Sequence, residues 1–473
     1  MSPCTAAPPG IASLPRELFL TILSCLDGRT LARASRTSSV WYSICRDSCL
    51  WRRLCAQAAW SFEPEAVCHG AEVPGREPHT TNWYNLYKRR TQLRQRWREG
   101  RPRGFRLPGH DHIDEGHSGD VYAIQMIGCF LVSGSMDKTV RVWDLLAQHL
   151  IAPPLLGHNG GVLSLQFDPD PTRDVIFSGD TNGQVICWRF STRAINGRLN
   201  DAHDDAVIAM KMDGDRLATG SADGIVKLWQ VNHGSRDTPR TTQIEHKRSF
   251  IGHTGGVNAV DMSGDLLVSA SGDRTVRTWS VSTGQCLRTI VEPRTVACVK
   301  LCTDLIISGG RDGALRLYNR HLQGVEKRMR GHRAMVRAVQ ARSHEEYTDV
   351  IVSGSYDGSV IVWTRQVEDK WLLHRLDAFT FAERAAGAVP QLTRTVSAEI
   401  IGATLHHHPQ STWTSSNPRR RLRSEDRLAA VLPAIVFQVD MNERWLVCTW
   451  ESSSSICGWD YADREQMMEA VKK

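Results

Sequence analysis

The stretch GHTGGVNAVDMSGDLLVSASGDRTVRTW, residues 252–279, decides how most of this chain folds. It holds two apolar, alternating runs around a Ser-Gly-Asp turn, a second turn at Gly272-Asp273, and a closing Trp279. The alternation is that of half-buried strands and the punctuation is that of tight turns. Its ending recurs. Six segments place Ser or Thr ten residues before Trp or Tyr, with Asp or Asn six before that aromatic: SGSMDKTVRVW (133–143), SGDTNGQVICW (178–188), TGSADGIVKLW (219–229), SASGDRTVRTW (269–279), SGGRDGALRLY (308–318) and SGSYDGSVIVW (353–363). The aromatic anchors fall 39 to 50 residues apart. A period of that length, with turns between short alternating strands, predicts a β-propeller of four-stranded blades.

The residue types have a physical reason. Ahead of five segments lies Gly-His or Ala-His, giving His117, His158, His203, His253 and His332. The blade Asp can accept from the His, the His can bond the Ser or Thr hydroxyl, and the hydroxyl can accept from the Trp indole. A fully satisfied polar chain of this kind can be buried. The expected sets are His117, Ser133, Asp137 and Trp143; His203, Thr219, Asp223 and Trp229; and His253, Ser269, Asp273 and Trp279. A catalytic reading of these His, Asp and Ser sets fails because they repeat from blade to blade, as scaffolding does. Two blades depart from the pattern. Blade 2 has Asn182 at the Asp position; blade 5 has Tyr318 for Trp and no Gly-His. Both are expected to be looser.

The ring needs a further blade. VFQVDMNERWLVCTWESSSSICGWD (436–460) keeps the rhythm and ends in Trp459-Asp460, without the Asp turn. The 96 residues between Trp363 and Trp459 are about two repeats, so 376–430 is expected to be an insertion, with an eighth, decayed blade as the alternative.

Before the repeats, SLPRELFLTILSCLDGRTLARASRTSSVWYSICRDSCLWRRL (13–54) reads as a chain of short helices. Leu14, Leu18, Phe19, Ile22, Leu23 and Leu26 recur at helical spacing, and the next helices are expected at about 30–38 and 40–46. Some forty helical residues bury too little surface to be comfortably stable alone. Leu18, Ile22 and Leu26 therefore predict a docking surface. Residues 88–106 carry nine Lys or Arg against one Glu, and 419–427 form a second basic cluster. Each suits a nuclear-import or phosphate-binding patch, or equally a solvated helix face and a loop.

Bulk properties narrow the class. The chain has 473 residues, 41% hydrophobic and 23% charged, with a formal net charge of +7. Its thirteen cysteines hold no C-x-x-C pair and no even-spaced framework, which predicts reduced thiols; the Cys45/Cys49 and Cys298/Cys302 pairs fit small apolar side chains on one face of a helix or strand better than metal ligands. The longest apolar run, 428–439, is too short to span a bilayer and contains Pro433, so no membrane is expected. The His406–His408 triple has no companion ligand motif, and no phosphate-binding glycine loop is present. No metal, no cofactor and no enzymatic activity are expected.

Two resemblances sharpen this. The repeats, over about 105–365, resemble the WD-repeat family. Leu14-Pro15, Leu18, Ile22-Leu23, Leu26-Asp27, Leu31, Trp41 and Leu50-Trp51 resemble the F-box, which docks onto the Skp adaptor of SCF ubiquitin ligases. NWYNLYKRRTQLRQRWREG (82–100) is similar to the linker helix of F-box/WD-repeat proteins, and the repeats look closest to the β-transducin-repeat-containing class, whose propellers have seven blades. The implied fold is an all-β, seven-bladed WD-repeat β-propeller preceded by a small all-α F-box domain and a helical linker. The implied boundaries are a disordered 1–12, F-box 13–55, linker 56–104 and propeller 105–473.

The resemblance implies a non-catalytic substrate receptor of an SCF ligase, cytoplasmic or nuclear, with Leu14, Pro15, Leu18, Ile22, Leu23, Leu26, Trp41, Leu50 and Trp51 against the adaptor, which joins a cullin. It implies that the propeller top face binds a phosphorylated or acidic degron. The slots are the residue after the valine of each inner strand and the residue before each blade Asp. They read Tyr122 and Met136, Leu163 and Thr181, Ile208 and Ala222, Asn258 and Gly272, Ala297 and Arg311, and Arg337 and Tyr356. Tyr122, Asn258, Arg311, Arg337 and Tyr356 are the candidate substrate residues, with Arg294 and Arg333 in nearby loops. A guanidinium fork suits a phosphate. Met136 and Ala297 stand where relatives carry arginine, which favours one phosphate or an acidic stretch over two phosphates. A WD-repeat scaffold that binds the adaptor without presenting substrates, and a nucleic-acid-associated propeller using 88–106, are the competing readings. Dimerisation is left open.

Overall fold

A computed structural model describes residues 15–57, 83–99, 103–151, 153–232, 242–320, 325–343, 348–365, 371–377, 394–397, 435–442, 444–450 and 456–461. The chain divides into two units, up to Glu99 and from Gly100 onward. The positions expected to be a disordered terminus, the His406–His408 triple, the basic 419–427 cluster and Leu14 lie outside the described residues.

The first unit is all helix: α1 Arg16–Ser24, α2 Gly28–Ala34, α3 Ser39–Cys45, α4 Ser48–Gln57 and α5 Trp83–Glu99. Local chemistry explains where α2 and α3 begin. Asp27 accepts from Thr30 N–H at 2.7 Å and Ser38 from Trp41 N–H at 3.3 Å, each filling an otherwise orphaned donor. Gly28 opens α2, and a Cβ there would collide with the Tyr87 ring. The second helix accordingly runs 28–34, earlier than the 30–38 expected. The helices close around Phe19, Leu23, Leu31, Cys45, Leu50 and Trp51. Trp51 donates its indole N–H to the Cys45 carbonyl at 2.6 Å and packs on Tyr84 of α5 at 4.9 Å. Burying an indole with its N–H satisfied is what makes so large a side chain acceptable here.

The second unit holds seven antiparallel sheets. We number the blades 1 to 7 by their anchors Trp143, Trp188, Trp229, Trp279, Tyr318, Trp363 and Trp459. Blade 4 is typical: Val257–Ser263, Leu266–Ser271, Thr275–Ser280 and Cys286–Val291 pair in order. Blade 7 takes three strands from Val436–Met441, Trp445–Trp450 and Ile456–Asp460, and its fourth from Arg103–Leu107, with Phe105 opposite Gly458. Pairing the two ends of the unit closes the ring without an open edge between first and last blade. The expected insertion begins later than residue 376: Leu376 and Asp377 finish the fourth strand of blade 6, and Arg394–Ser397 adds a fifth. The alternating pattern of four residues is too short to announce itself in sequence.

The apolar core lies between blades. Val226, Leu228 and Ala218 of blade 3 pack on Val257, Val260 and Trp279 of blade 4, and the other described seams repeat the arrangement. This explains the Ser-Gly pair of the second strands. A Cβ on Gly354 would sit 2.6 Å from Val436, the valine that opens the next inner strand.

Polar networks fix the loops to the sheets. In blades 1, 3 and 4 the His Nδ1 lies 2.8, 2.8 and 2.9 Å from the Asp, its Nε2 lies 2.7 Å from the hydroxyl, and the Trp indole donates to that hydroxyl at 2.8 to 2.9 Å. Two expectations are corrected. Blade 2 is not missing its carboxylate: Asp180, two residues before Asn182, lies 3.0 Å from His158 Nδ1, and Ser178 completes the set with Trp188. Blade 5 replaces the histidine by Glu292. That carboxylate accepts from Ser308, from the Tyr318 hydroxyl at 2.9 Å and from Arg316 at 2.9 Å, while Arg316 also binds Asp312. Blade 7 is the bare one. Thr449 and Trp459 occupy the same ten-residue spacing, yet neither Thr449 Oγ1 nor Trp459 Nε1 has a partner among the described residues.

A second ring of polar groups lines the inner strands. The fifth residue of each is Gln125, Gln166, Lys211, Asp261, Lys300, Gln340 and Asp440. These reach across seams. Gln125 accepts from Phe167 N–H at 2.6 Å, Asp261 from Leu301 N–H at 2.9 Å, and Asp440 from Met126 N–H at 2.6 Å and Gln340 Nε2 at 2.7 Å. Lys211 and Lys300, from either side, both stand 3.3 Å from Asp261.

Ten of the cysteines are free thiols.

Candidate functional site

The nine residues expected at an adaptor surface divide by geometry. On α1, Phe19 and Leu23 are one turn apart and buried at 2% and 1%, whereas Leu18 and Ile22 are also one turn apart and exposed at 52% and 53%. One helix thus presents two apolar faces, one to the core of its unit and one to solvent. Leu50 and Trp51 belong to the core with Leu23, which corrects the expectation that they face outward. Pro15 is exposed, and Leu26 and Trp41 are half-buried. Val40 and Tyr42, which sequence reasoning passed over, are exposed at 50% and 48%. Their signal was present: apolar residues of α3 out of step with Cys45, the residue of that helix that is buried.

In the propeller, every inner strand carries the same irregularity. The register of pairing with the second strand shifts around the residue after the opening valine in all seven blades: Tyr122, Leu163, Ile208, Asn258, Ala297, Arg337 and Phe437. A bulge releases one residue from the ladder and re-aims its side chain. The valines themselves are fully buried, while Tyr122, Leu163, Ile208, Asn258 and Arg337 are partly exposed. Tyr122 stacks on Phe437 with centroids 4.4 Å apart. Asn258 Nδ2 donates to the Val296 carbonyl at 2.8 Å, a bond that ties blade 4 to blade 5. Tyr356 is partly exposed in its turn, and Ala297 is buried.

A concavity lies at the seam of blades 4 and 5. Arg274, Pro293, Arg294, Thr295, Arg311 and Asp312 line a pocket of about 640 Å³. Backbone bonds hold its walls together: Glu292 N–H donates to the Arg274 carbonyl at 2.8 Å, and Arg311 N–H to the Thr295 carbonyl at 3.0 Å. Asp312 is already engaged by Arg316 and by Arg328 at 2.7 Å. Burial works to raise its carboxyl, but the Arg316 bond and charge hold it below the ordinary range. No ion-pair partner faces the guanidiniums of Arg274, Arg294 or Arg311 among the described residues, and all three are exposed. Three unpaired forks around one pocket suit a phosphate or carboxylate.

The structure therefore brings Arg311 together with Arg294 and Arg274, and leaves Arg337 and Tyr356 outside that lining. Arg274 escaped the slot-by-slot reading because it follows the blade Asp instead of preceding it. Its backbone carries a signal of its own. At φ +69° it holds the left-handed conformation that Gly183, Gly224, Gly313 and Gly358 hold in the equivalent turns. In a non-glycine residue this conformation costs about 1 kcal/mol or more. Lys138 in blade 1 shares it, at φ +68°. Among the described residues no group of three or more His, Cys, Asp or Glu side chains is placed to hold a metal, and no helix is long and apolar enough to cross a membrane.

Comparison with known proteins falls on both units. Residues 11–57 match the F-box-like family model, and 109–144, 152–189, 197–230, 244–280 and 324–364 match that of the WD domain, G-beta repeat. The chain joins an F-box-like domain to WD repeats. The inner three strands of blade 5 and the three C-terminal strands of blade 7 fall outside the matched stretches, and among the described residues these blades lack the bonded set of His, hydroxyl and Trp. The F-box/WD repeat-containing protein 7 of Drosophila melanogaster is 34% identical over 33% of this chain, and an F-box protein of Saccharomyces cerevisiae is 27% identical over 30%. Mitochondrial division protein 1 of Emericella nidulans is 34% identical over 31%, so identity of that extent does not by itself choose a function. The matched stretches span 11%, 24% and 18% of those three proteins. The solved WD40 β-propeller domain of Doa1 superposes with a TM-score of 0.52 at 15% identity, covering 74% of this chain and 96% of that domain, a likeness of fold alone.

Proposed function

We propose that this chain is the substrate-recognition subunit of an SCF-type E3 ubiquitin ligase. Its F-box docks the Skp adaptor, through which it joins a cullin, and its propeller holds a phosphorylated or acidic degron so that the substrate is ubiquitinated and degraded. The observation that carries this is the exposure of Leu18 and Ile22 on a helix whose opposite face is core. Two large aliphatic side chains half in water at i and i+4 cost free energy that a partner surface would recover, at about 25 cal/mol per Å² covered.

The chain performs no bond chemistry in this reading. It supplies proximity, converting the encounter of a substrate lysine with a charged conjugating enzyme into an effectively intramolecular one. The pocket of Arg274, Arg294 and Arg311 is the degron's anion site. The work is cytoplasmic or nuclear.

The test is a quantitative pull-down of wild type against Leu18→Asp/Ile22→Asp, scored for the Skp adaptor and cullin. Both are expected in the wild type and absent from the variant, with the melting of the propeller unchanged because the two positions are exposed. Absence of adaptor from the wild type would end the proposal. Stabilisation of bound proteins on depletion of the chain separates a substrate receptor from a scaffold that binds the adaptor without presenting anything.

A further inference from the structure

The fourth strand of a blade is its outer one, and its free edge is an open template for another chain unless something blunts it. Most blades blunt theirs. Blade 3 lines Gln243–Phe250 with Glu245, Lys247 and Arg248, and blade 5 lines Val325–Arg330 with Lys327, Arg328 and Arg330. Blade 1 breaks its strand into His149–Leu150 and Leu155–Leu156. Blade 2 places Asn196 and Gly197 in Ile195–Leu199, with Asn196 bonded to Thr242 beside the outer strand of blade 3. Blade 7 buries Phe105 and Leu107 of Arg103–Leu107, and blade 6 covers its edge with Arg394–Ser397.

Blade 4 is the exception. Its outer strand Cys286–Val291 is the last of its sheet among the described residues, and its one charge, Arg288, is partly buried. Leu287 is 58% exposed, and Val291 and Ile251, at 75% each, are the two most exposed large apolar side chains among the described residues. Ile251 comes to the face of the sheet that carries Thr289 and Val291. A Cβ on the adjoining Gly252 would touch Arg277 and Trp279, which pair with Thr289 and Cys286. The backbone agrees. Glu292 N–H donates inward to the Arg274 carbonyl. Backbone groups alternate in direction along a strand, so Thr289 and Val291 turn their N–H and C=O groups to the open edge.

We propose that this edge pairs with the same edge of a second copy of the chain, antiparallel about a two-fold axis through Thr289. That register brings residues 287–291 of both copies into one ladder and joins outward-turned backbone groups to outward-turned ones. Thr289 meets its own counterpart, and Val291 meets the second copy's Leu287, pairs of the kind that stabilise a sheet. Blade 6 shows that an outer edge of this propeller accommodates a further antiparallel strand. The neighbouring charges leave the contact open. Arg248 is held by the Ser282 and Thr283 carbonyls. Arg277, one strand further in, faces its counterpart across about 14 Å, beyond the range of about 10 Å over which exposed charges act. Each chain offers one such edge, so association closes at two. One strand pair covers less than the roughly 1,200 Å² of a stable interface, so the dimer is transient and forms at about 10–100 µM. The inference uses neither the F-box face nor the arginine pocket and stands apart from the proposed function.

Sedimentation of the full chain across about 1–200 µM should move from monomer to dimer and stop there. Val291→Lys should raise the dissociation constant at least about tenfold, with melting unchanged because the side chain is exposed. A second pair of variants reads the register itself. Residues opposite each other in a hydrogen-bonded pair lie about 5.5 Å apart at Cα, within reach of a disulfide. Cys286→Ser/Thr289→Cys should therefore cross-link to its own counterpart under oxidised glutathione. Cys286→Ser/Val291→Cys should not, because its two copies stand about 13 Å apart along the strands; Cys286→Ser alone gives the background. A monomer at every concentration would overturn the inference, and so would association that continues past two. A dimer that withstands Val291→Lys, and cross-links no faster through position 289 than through 291, would place the contact on another surface and overturn it as well.

Discussion

Glu292 accepts the Tyr318 hydroxyl at 2.9 Å, and through that bond blade 5 holds the loop that a histidine holds elsewhere. The same carboxylate takes Arg316 at 2.9 Å, and its own N–H bonds the Arg274 carbonyl. Glu292 thus ties the buried middle of blade 5 to the wall of the arginine pocket, two residues before Arg294. Burial pushes the Tyr318 hydroxyl well above its ordinary value, and the neighbouring Glu292 charge acts in the same direction, so the phenol remains a donor at any working pH.

Removing that carboxylate takes from the buried Arg316 guanidinium one of its two ion-pair partners, with Asp312 remaining, and leaves the Ser308 and Tyr318 hydroxyls without their acceptor. Glu292→Ala is expected to cost about 3–5 kcal/mol, and Glu292→Gln distinctly less because an amide oxygen still accepts. Denaturant midpoints of the propeller measure both. A loss below about 1 kcal/mol in the alanine variant would mean that Asp312 alone satisfies Arg316.

Arg274 offers a separation of stability from binding. Arg274→Gly relieves a left-handed residue and should stabilise the fold by about 0.5–1 kcal/mol. It also deletes one fork of the pocket, which should weaken an anionic peptide about tenfold, since hydrogen bonds to charged groups are worth about 1.5–3 kcal/mol. Thermal melting and peptide titration of the one variant should move in opposite senses; the same sense in both would refute the role given to this residue.

Acid should loosen the blades in two stages. Burial pushes His117, His203 and His253 below their ordinary 6.5, outweighing their aspartates. A histidine that binds its proton more readily when unfolded stabilises the fold above pH 6.5 and loses that contribution as the pH falls. Each can subtract up to about 1.4 kcal/mol per pH unit over its window. For Asp273, burial works to raise the carboxyl, but hydrogen bonds from Thr275, His253 and the Thr254 amide bring it down to about 2, so its contribution is lost between about pH 4 and 2. Melting temperature should hold from pH 8 to 7, decline below about 6.5, and decline again below about 4. His253→Gln should flatten the first stage; a melting temperature that rises between pH 7 and 5.5 would contradict the sign.

Asp261 is the keystone of the inner ring. Burial opposes its ionisation, yet Lys211 and Lys300 hold it at about 2. Asp261→Ala should cost about 2 kcal/mol, because it leaves the Leu301 N–H unpaired and sets two lysines facing each other across the gap. High salt should soften the repulsive part, which urea midpoints at two ionic strengths would register.

Sequence alone determined the periodic part of this protein. Strand alternation, turn residues and the ten-residue spacing from hydroxyl to indole are local, so blades 1, 3 and 4 were legible with their hydrogen-bonded sets, and the helical spacing of α1 was legible too. Tertiary structure decided whatever depends on what stands opposite. It chose which face of α1 is core, assigning Leu23, Leu50 and Trp51 inward and leaving Leu18 and Ile22 in water, because both faces of that helix are equally apolar and only the packing of α3, α4 and α5 distinguishes them. It moved the acid of blade 2 to Asp180 and the histidine's part in blade 5 to Glu292, since a hydrogen bond asks for an acceptor in reach and not for a residue at a fixed offset. It brought Arg274, Arg294 and Arg311 to one pocket because three turns far apart in the chain meet where two blades abut, and a seam between blades leaves no pattern in either repeat.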